Sequence, residues 1–128
     1  MRIATGALLD GQRLLARPGR TVVYTGDTRP CAGTVEAARG ADLLVHEATF
    51  AERDASIADV SGHSTASTAA RVAMEAGARR LVLTHISSRY GAGSPVDLPE
   101  LLAEARATFD PDRATMTLID EDGKTARS

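Results

Sequence analysis

Four short segments hold the residues best suited to chemistry: Gly26-Asp27-Thr28, His46-Glu47-Ala48-Thr49-Phe50, Gly62-His63-Ser64-Thr65 and Thr84-His85-Ile86-Ser87-Ser88-Arg89-Tyr90. The Asp27 carboxylate, set in a strand-to-loop turn, can ligate a metal, and its two oxygens can bridge a pair of ions. An Asp in such a turn also serves simply to start it through its own side chain. Glu47, beside a histidine-bearing rim, can hold an imidazole in one tautomer and raise its basicity. His46 projects to the other side of an extended chain and reads as structural. Ser64 or Thr65 can cap a following helix, whose N-terminal N–H groups and dipole attract phosphate. His63 at that terminus can contact the same phosphate and protonate a leaving oxygen; the plainer alternative is an exposed histidine next to a cap. His85 is placed either as a metal ligand or as an ordinary hydrogen-bonded histidine. Ser87 and Arg89 offer a hydroxyl and a guanidinium suited to phosphate.

The elements around these segments alternate. Thr21–Thr25 is β-branched and aromatic and stops at Gly26-Asp27, which predicts a strand. A short helix is expected over Cys31–Arg39, with Gly40 in the stop position. The continuous apolar run Asp42–His46 predicts a strand covered on both faces. Residues Ala51–Ser61 are polar and read as a loop with at most one helical turn. Ala69, Val72, Ala73 and Ala76 fall at i, i+3, i+4 and i+7 before Gly77, the pattern of an amphipathic helix. Leu81–Thr84 is a further strand. Asp97 and Glu100 resemble a capping box that opens a helix with Leu98, Leu101, Leu102, Ala105 and Phe109 on one face. Met116–Ile119 is the last expected strand. This is an α/β chain, and Asp27, His46-Glu47 and His85 each lie just past the carboxyl end of a strand, where open α/β sheets place their ligands.

The chain is 128 residues long, about the size of one domain, with 43% hydrophobic and 25% charged residues. With two Tyr, two Phe and no Trp, Val, Leu, Ile and Ala must do the packing. One cysteine excludes an intramolecular disulfide and a Cys-based zinc cluster, and fits a reducing cytoplasm. The net charge of −2 excludes a polybasic nucleic-acid module as the default, although 14 of the 15 basic residues are Arg. No stretch is long enough to span a membrane. The apolar run Ile3–Leu9 is cut by Asp10 and lacks a small-residue cleavage site, so it is not read as a secretion signal.

In order and in sequence, GDT, HEATF, GHSTA and THISSRY resemble the C-terminal part of ribonuclease Z, the tRNA 3′-processing endonuclease family of the metallo-β-lactamase-fold hydrolases. The resemblance runs over about residues 18–121. It implies half of an αββα sandwich: a poorly readable start over 1–19, a C-terminal half-domain over 20–120 and a polar tail over 121–128. It also implies a two-zinc site that activates water against a phosphodiester. By that resemblance Asp27 is the carboxylate bridging the two zinc ions and His85 a ligand of one of them. His63 contacts the scissile phosphate and protonates the leaving group, with Glu47 as its supporting carboxylate. Ser64, Thr65, Ser87 and Arg89 are placed near substrate phosphate.

The family's H-x-H-x-D-H motif, which supplies most zinc ligands, has no counterpart in this sequence. Most ligands of a complete two-zinc site are therefore expected outside the chain, the chain alone is expected to be inactive, and Met1 to mark an internal start or a truncated gene. The implied activity is removal of the 3′ trailer from precursor tRNA, by a cytoplasmic homodimer or by a chain completed by an N-terminal half, without a membrane. The alternatives are a related hydrolase acting on a small phosphodiester or sulfate ester, and a catalytically dead fragment that retains a subunit-pairing role.

Overall fold

The computed structural model describes residues 3–9, 12–16, 19–91, 93–109, 116–119 and 125–127, with side-chain packing over 19–91 and 93–109. Strands β1 (Ile3–Leu9) and β2 (Gln12–Ala16) pair antiparallel as a two-stranded sheet. The apolar run that resembled a signal segment is thus one arm of a β pair, and the start is structured. A second sheet contains β3 (Val22–Tyr24), β4 (Leu43–Glu47), β5 (Leu81–Thr84), β6 (Met116–Ile119) and β7 (Thr125–Arg127) in that order. The first four run parallel and β7 closes the edge antiparallel to β6.

Parallel neighbours need crossover connections, which are helical here. Helix α1 (Ala32–Ala37) links β3 to β4; α2 (Ala55–Ser61) and α3 (Ala66–Ala76) link β4 to β5; α4 (Leu98–Arg106) links β5 to β6. The start of α3 is closed by a reciprocal capping box between Thr65 and Thr68, and Gly77 ends it in the left-handed region. The expected box at Asp97 and Glu100 opens α4.

Among the described residues, one face of the sheet is covered. Leu44 and His46 on β4 stand beside Leu81 and Leu83 on β5, all four fully buried. The buried stripe of α3 (Ala69, Val72, Ala73 and Ala76) covers them, and Leu101, Leu102 and Ala105 of α4, packed beside α3 and against β6, extend the same core. The other face carries Leu43, Val45 and Val82, only half-buried, and its β3 neighbours Val22 and Tyr24 are 60% and 72% exposed. The continuous apolar runs predict burial on both faces; within the described residues one face is packed and the other is bare. Apolar strand faces of this kind drive association. The chain is therefore expected to self-associate, and Val22→Thr combined with Tyr24→Thr to shift it toward monomer in sedimentation velocity. A monodisperse unmodified monomer would contradict this.

Two expectations are corrected. Residues Ala51–Ser61 form a 3₁₀ turn (Glu52–Asp54) and then α2, not a loop. The helix escapes a periodicity search because only Ala58 is buried, while Ile57 and Val60 are exposed. It is held instead by polar contacts: the Tyr90 hydroxyl donates to Asp54 at its N-cap and accepts from the Ala51 N–H, and Gly62, with φ of 79°, turns the chain out of it. The polar tail also contains β7, a three-residue edge strand paired to Thr117–Ile119. A polar edge of this kind has no apolar alternation to give it away.

Candidate active site

The two loops that leave the carboxyl ends of β4 and β5 and the connection between α2 and α3 are laced together by their backbones. Ala48 N–H donates to Thr84 C=O and Ser87 N–H to Thr49 C=O, while Phe50 N–H donates to Ser64 C=O and Ala66 N–H to Phe50 C=O. Residues 48–50 thus lie between the His63 segment on one side and the His85 segment on the other. Across the rim, Gly26 adopts φ of 62°, a conformation open to glycine at little cost, and turns the chain so that Asp27 faces the same place.

At the centre is Glu47, only 1% exposed. Its Oε1 accepts from Thr28 N–H (3.1 Å) and from His63 Nδ1 (2.7 Å); its Oε2 accepts from Thr49 N–H (3.0 Å) and from the Thr49 hydroxyl (2.9 Å). Four donors around one carboxylate satisfy it completely without water. The Thr49 hydroxyl, having given its one proton to Glu47, can only accept from His85 Nδ1 (2.8 Å) and, more weakly, from His63 Nδ1 (3.2 Å). Both rings therefore carry hydrogen on Nδ1 and present an unprotonated Nε2, or a second proton there. That assignment follows from the donors available, not from observed hydrogens.

The His63 and His85 rings stack, with centroids 5.4 Å apart and planes 18° from parallel. His85 Nε2 lies 3.6 Å from Asp27 Oδ1, and one donor atom from each of Asp27, His63 and His85 falls within 4.8 Å of the others. Donors on a single zinc ion, bound at about 2.0–2.2 Å, stand at most ~4.4 Å apart, so Asp27 and His85 fit a shared ion without rearrangement. His63 fits less well. An imidazole binds an ion in its own ring plane, and an ion in the plane of His85 lies out of the plane of a ring stacked on it. The donor set of carboxylate oxygen and imidazole nitrogen suits zinc, and Asp27 and His85 are the two residues whose geometry could hold such an ion. His85 also has φ of 59°, uncommon for a residue with a Cβ and worth roughly 1–3 kcal/mol of strain, the kind that concentrates at functional sites.

The remaining expected residues divide. Ser64 is buried and donates to Thr28 C=O (2.7 Å), tying the α3 loop to the loop after β3. The Thr65 hydroxyl is used as the cap and donates to Glu52. Both are buried and hold the frame of the site, and Thr65 also lines the cleft beside His63. Ser87 accepts from Arg89 N–H (3.4 Å). Arg89 lies over the Phe50 ring (5.1 Å), and Phe50 meets the edge of His63 (6.0 Å). His46, as its place in the strand implies, faces the helices. Thr28, Thr49 and Phe50 lie within the four segments, but sequence alone assigns none of them a chemical role. Of these only Thr49 had a readable cue, a hydroxyl two residues beyond a carboxylate, which can bond locally to it.

His46 gives a pH dependence. It is fully buried, donates from Nδ1 to Glu47 C=O (2.7 Å), and its Nε2 has no partner among the described residues. Burial holds its pKa below the usual imidazole value, so the folded chain resists a proton that the unfolded chain accepts near pH 6.5. The stabilisation is complete above about pH 6.5 and lost progressively below it. The melting temperature is expected to fall from pH 7.5 to 5.5, with a smaller fall for His46→Gln. Equal falls in both proteins would contradict this.

A family profile described as Beta-lactamase superfamily domain matches residues 11–86, more than half of the chain. The chain belongs to the β-lactamase superfamily. Its fold agrees with solved members: the metallo-β-lactamase-fold protein YhfI from Bacillus subtilis superposes with a TM-score of 0.65 at 30% identity, covering 89% of this chain and 42% of that one. Human tRNase Z, short form, covers 56% of this chain and 29% of its own at 43% identity and a TM-score of 0.50. Curated relatives named Ribonuclease Z are 51% identical over 95% of this chain in Gemmatimonas aurantiaca and 54% identical over 84% of it in Haloferax volcanii. The chain spans about a third of the length of each, 35% and 32%. Within the superfamily it is therefore similar to ribonuclease Z, as the four motifs imply.

Proposed function

We propose that this chain supplies one part of the active site of a ribonuclease Z-like, zinc-dependent endoribonuclease that removes the 3′ trailer from precursor tRNA. The observation that carries the reading is the buried Glu47–Thr49 pair, which aims His63 and His85 toward Asp27. Asp27 and His85 hold the metal. Zinc bound there supplies Lewis acidity toward a phosphoryl oxygen. His63, fixed through Nδ1 by Glu47, faces the substrate with Nε2; as the imidazolium, paired with the Glu47 carboxylate, it gives its Nε2 proton to the departing oxygen and is left as the neutral Nδ1–H imidazole. Ser87 and Arg89 border the site, and the guanidinium offers a phosphate contact. A catalytic zinc takes three protein ligands and a water, so two ligands from this chain give an incomplete centre, and the chain alone is inactive. The lone Cys31 supports a reducing compartment such as the cytoplasm, and the reading includes a homodimer.

The test supplies the rest of the site. This chain is co-expressed with the portion of the Gemmatimonas aurantiaca relative that it does not match, and the complex is offered precursor tRNA, bis(p-nitrophenyl) phosphate and p-nitrophenyl sulfate with zinc. Trailer release at the highest kcat/KM is expected. A complex that prefers the sulfate ester would overturn the phosphodiesterase reading, and one that hydrolyses only the small phosphodiester would overturn the tRNA substrate.

A further inference from the structure

A cleft of about 290 Å³ opens on the other side of His63, between the loop after β3, α2 and the first turn of α3. Arg29, Pro30, Ala58, Asp59, Thr68 and Arg71 contribute to its walls. Arg29 is braced: its Nε (3.0 Å) and Nη2 (2.8 Å) both donate to Asp59 C=O, which fixes the guanidinium against α2. Arg71 reaches Glu75 only at 4.0 Å, with both side chains half-exposed, a loose surface pair that neutralises little of its charge. The lining carries two guanidinium groups, Arg29 and Arg71, and one carboxylate, Asp59, and the positive end of the α3 dipole adds to the excess. Pro30, Ala55 and Ala58 give the cleft an apolar side. The volume sits near the lower end for small-ligand sites, ~300 Å³.

We propose that this cleft holds the nucleotide next to the scissile phosphate, its phosphate between Arg29 and Arg71 and its base against Pro30 and Ala58. The proposal rests on the phosphodiesterase reading of His63, which lines both the cleft and the metal-ligand cluster and so sets the cleft next to the reacting phosphate.

Binding of a fluorescein-labelled single-stranded oligoribonucleotide to the full chain, followed by anisotropy over a series of salt concentrations, tests it. Arg71→Gln, a surface change on α3, is expected to weaken binding roughly tenfold, the scale of one charged hydrogen bond. It should also flatten the log–log salt slope by about 0.7, one phosphate contact on a single strand. Arg29→Gln should act in the same direction, and Arg39→Gln, paired with Glu36 away from the cleft, should change neither quantity. A 5′-phosphorylated dinucleotide should compete better than inorganic phosphate; equal competition would mean a bare anion site and overturn the nucleotide assignment. Unchanged affinity and slope in Arg71→Gln and Arg29→Gln would overturn the cleft while leaving the phosphodiesterase reading intact. Failure of the unmodified chain to bind RNA at all would likewise overturn the cleft, the phosphodiesterase reading being tested separately in the completed complex.

Discussion

Asp27→Ala, in the complex of this chain with the portion of the relative it lacks, is expected to lose metal and activity together. Asp27 Oδ1 and His85 Nε2 stand 3.6 Å apart, the spacing of two donors on one ion, and His85 is held by Thr49 with its Nε2 directed outward. Without the carboxylate, His85 is the chain's sole remaining ligand by this assignment, and the chelate is broken. A metal centre contributes several kcal/mol to transition-state stabilisation, so the rate should fall by at least about 10³. Elemental analysis and trailer release report the two losses independently. Full zinc content in Asp27→Ala would remove it from the metal site.

His63→Ala is expected to behave differently: a fall of about 10²–10⁴ in kcat, the usual scale for a positioned acid or base, with zinc content unchanged. The stacking of His63 on His85 keeps the two Nε2 lone pairs from converging in plane on one ion, and the 2.7 Å bond to Glu47 fixes the ring with Nε2 outward. Loss of zinc in this variant would make His63 a ligand instead.

The parts of the fold that were legible in the sequence are those fixed by local rules. The strand at Leu81–Thr84 has its apolar run, α3 its stripe at Ala69, Val72, Ala73 and Ala76, and α4 its capping pair. Elements held by tertiary contacts were not legible. Helix α2 depends on Asp54 bonding to Tyr90, 36 residues away, and β7 on its ladder with β6. The site divides in the same way. Asp27, Glu47, His63 and His85 are chemically conspicuous and lie at strand and helix ends. That the Thr49 hydroxyl sets the tautomer of His85, 36 residues onward, while Glu47 sets that of His63, becomes visible only when these segments are brought together. The same assembly turns the burial of Tyr90 and its bond to Asp54 into a phenol pKa pushed up to about 12, so this brace stays protonated through the neutral range.

The central claim is that His63 protonates the leaving oxygen, and leaving-group dependence tests it most directly. The ribose oxygen released from RNA is a poor leaving group that needs a proton, whereas p-nitrophenolate departs without one. In the completed enzyme, His63→Ala should slow trailer release from precursor tRNA by about 10²–10⁴ while leaving zinc-dependent hydrolysis of bis(p-nitrophenyl) phosphate within a few-fold of the unmodified rate. Equal losses on both substrates would contradict the claim and assign His63 to the metal or to the frame of the site.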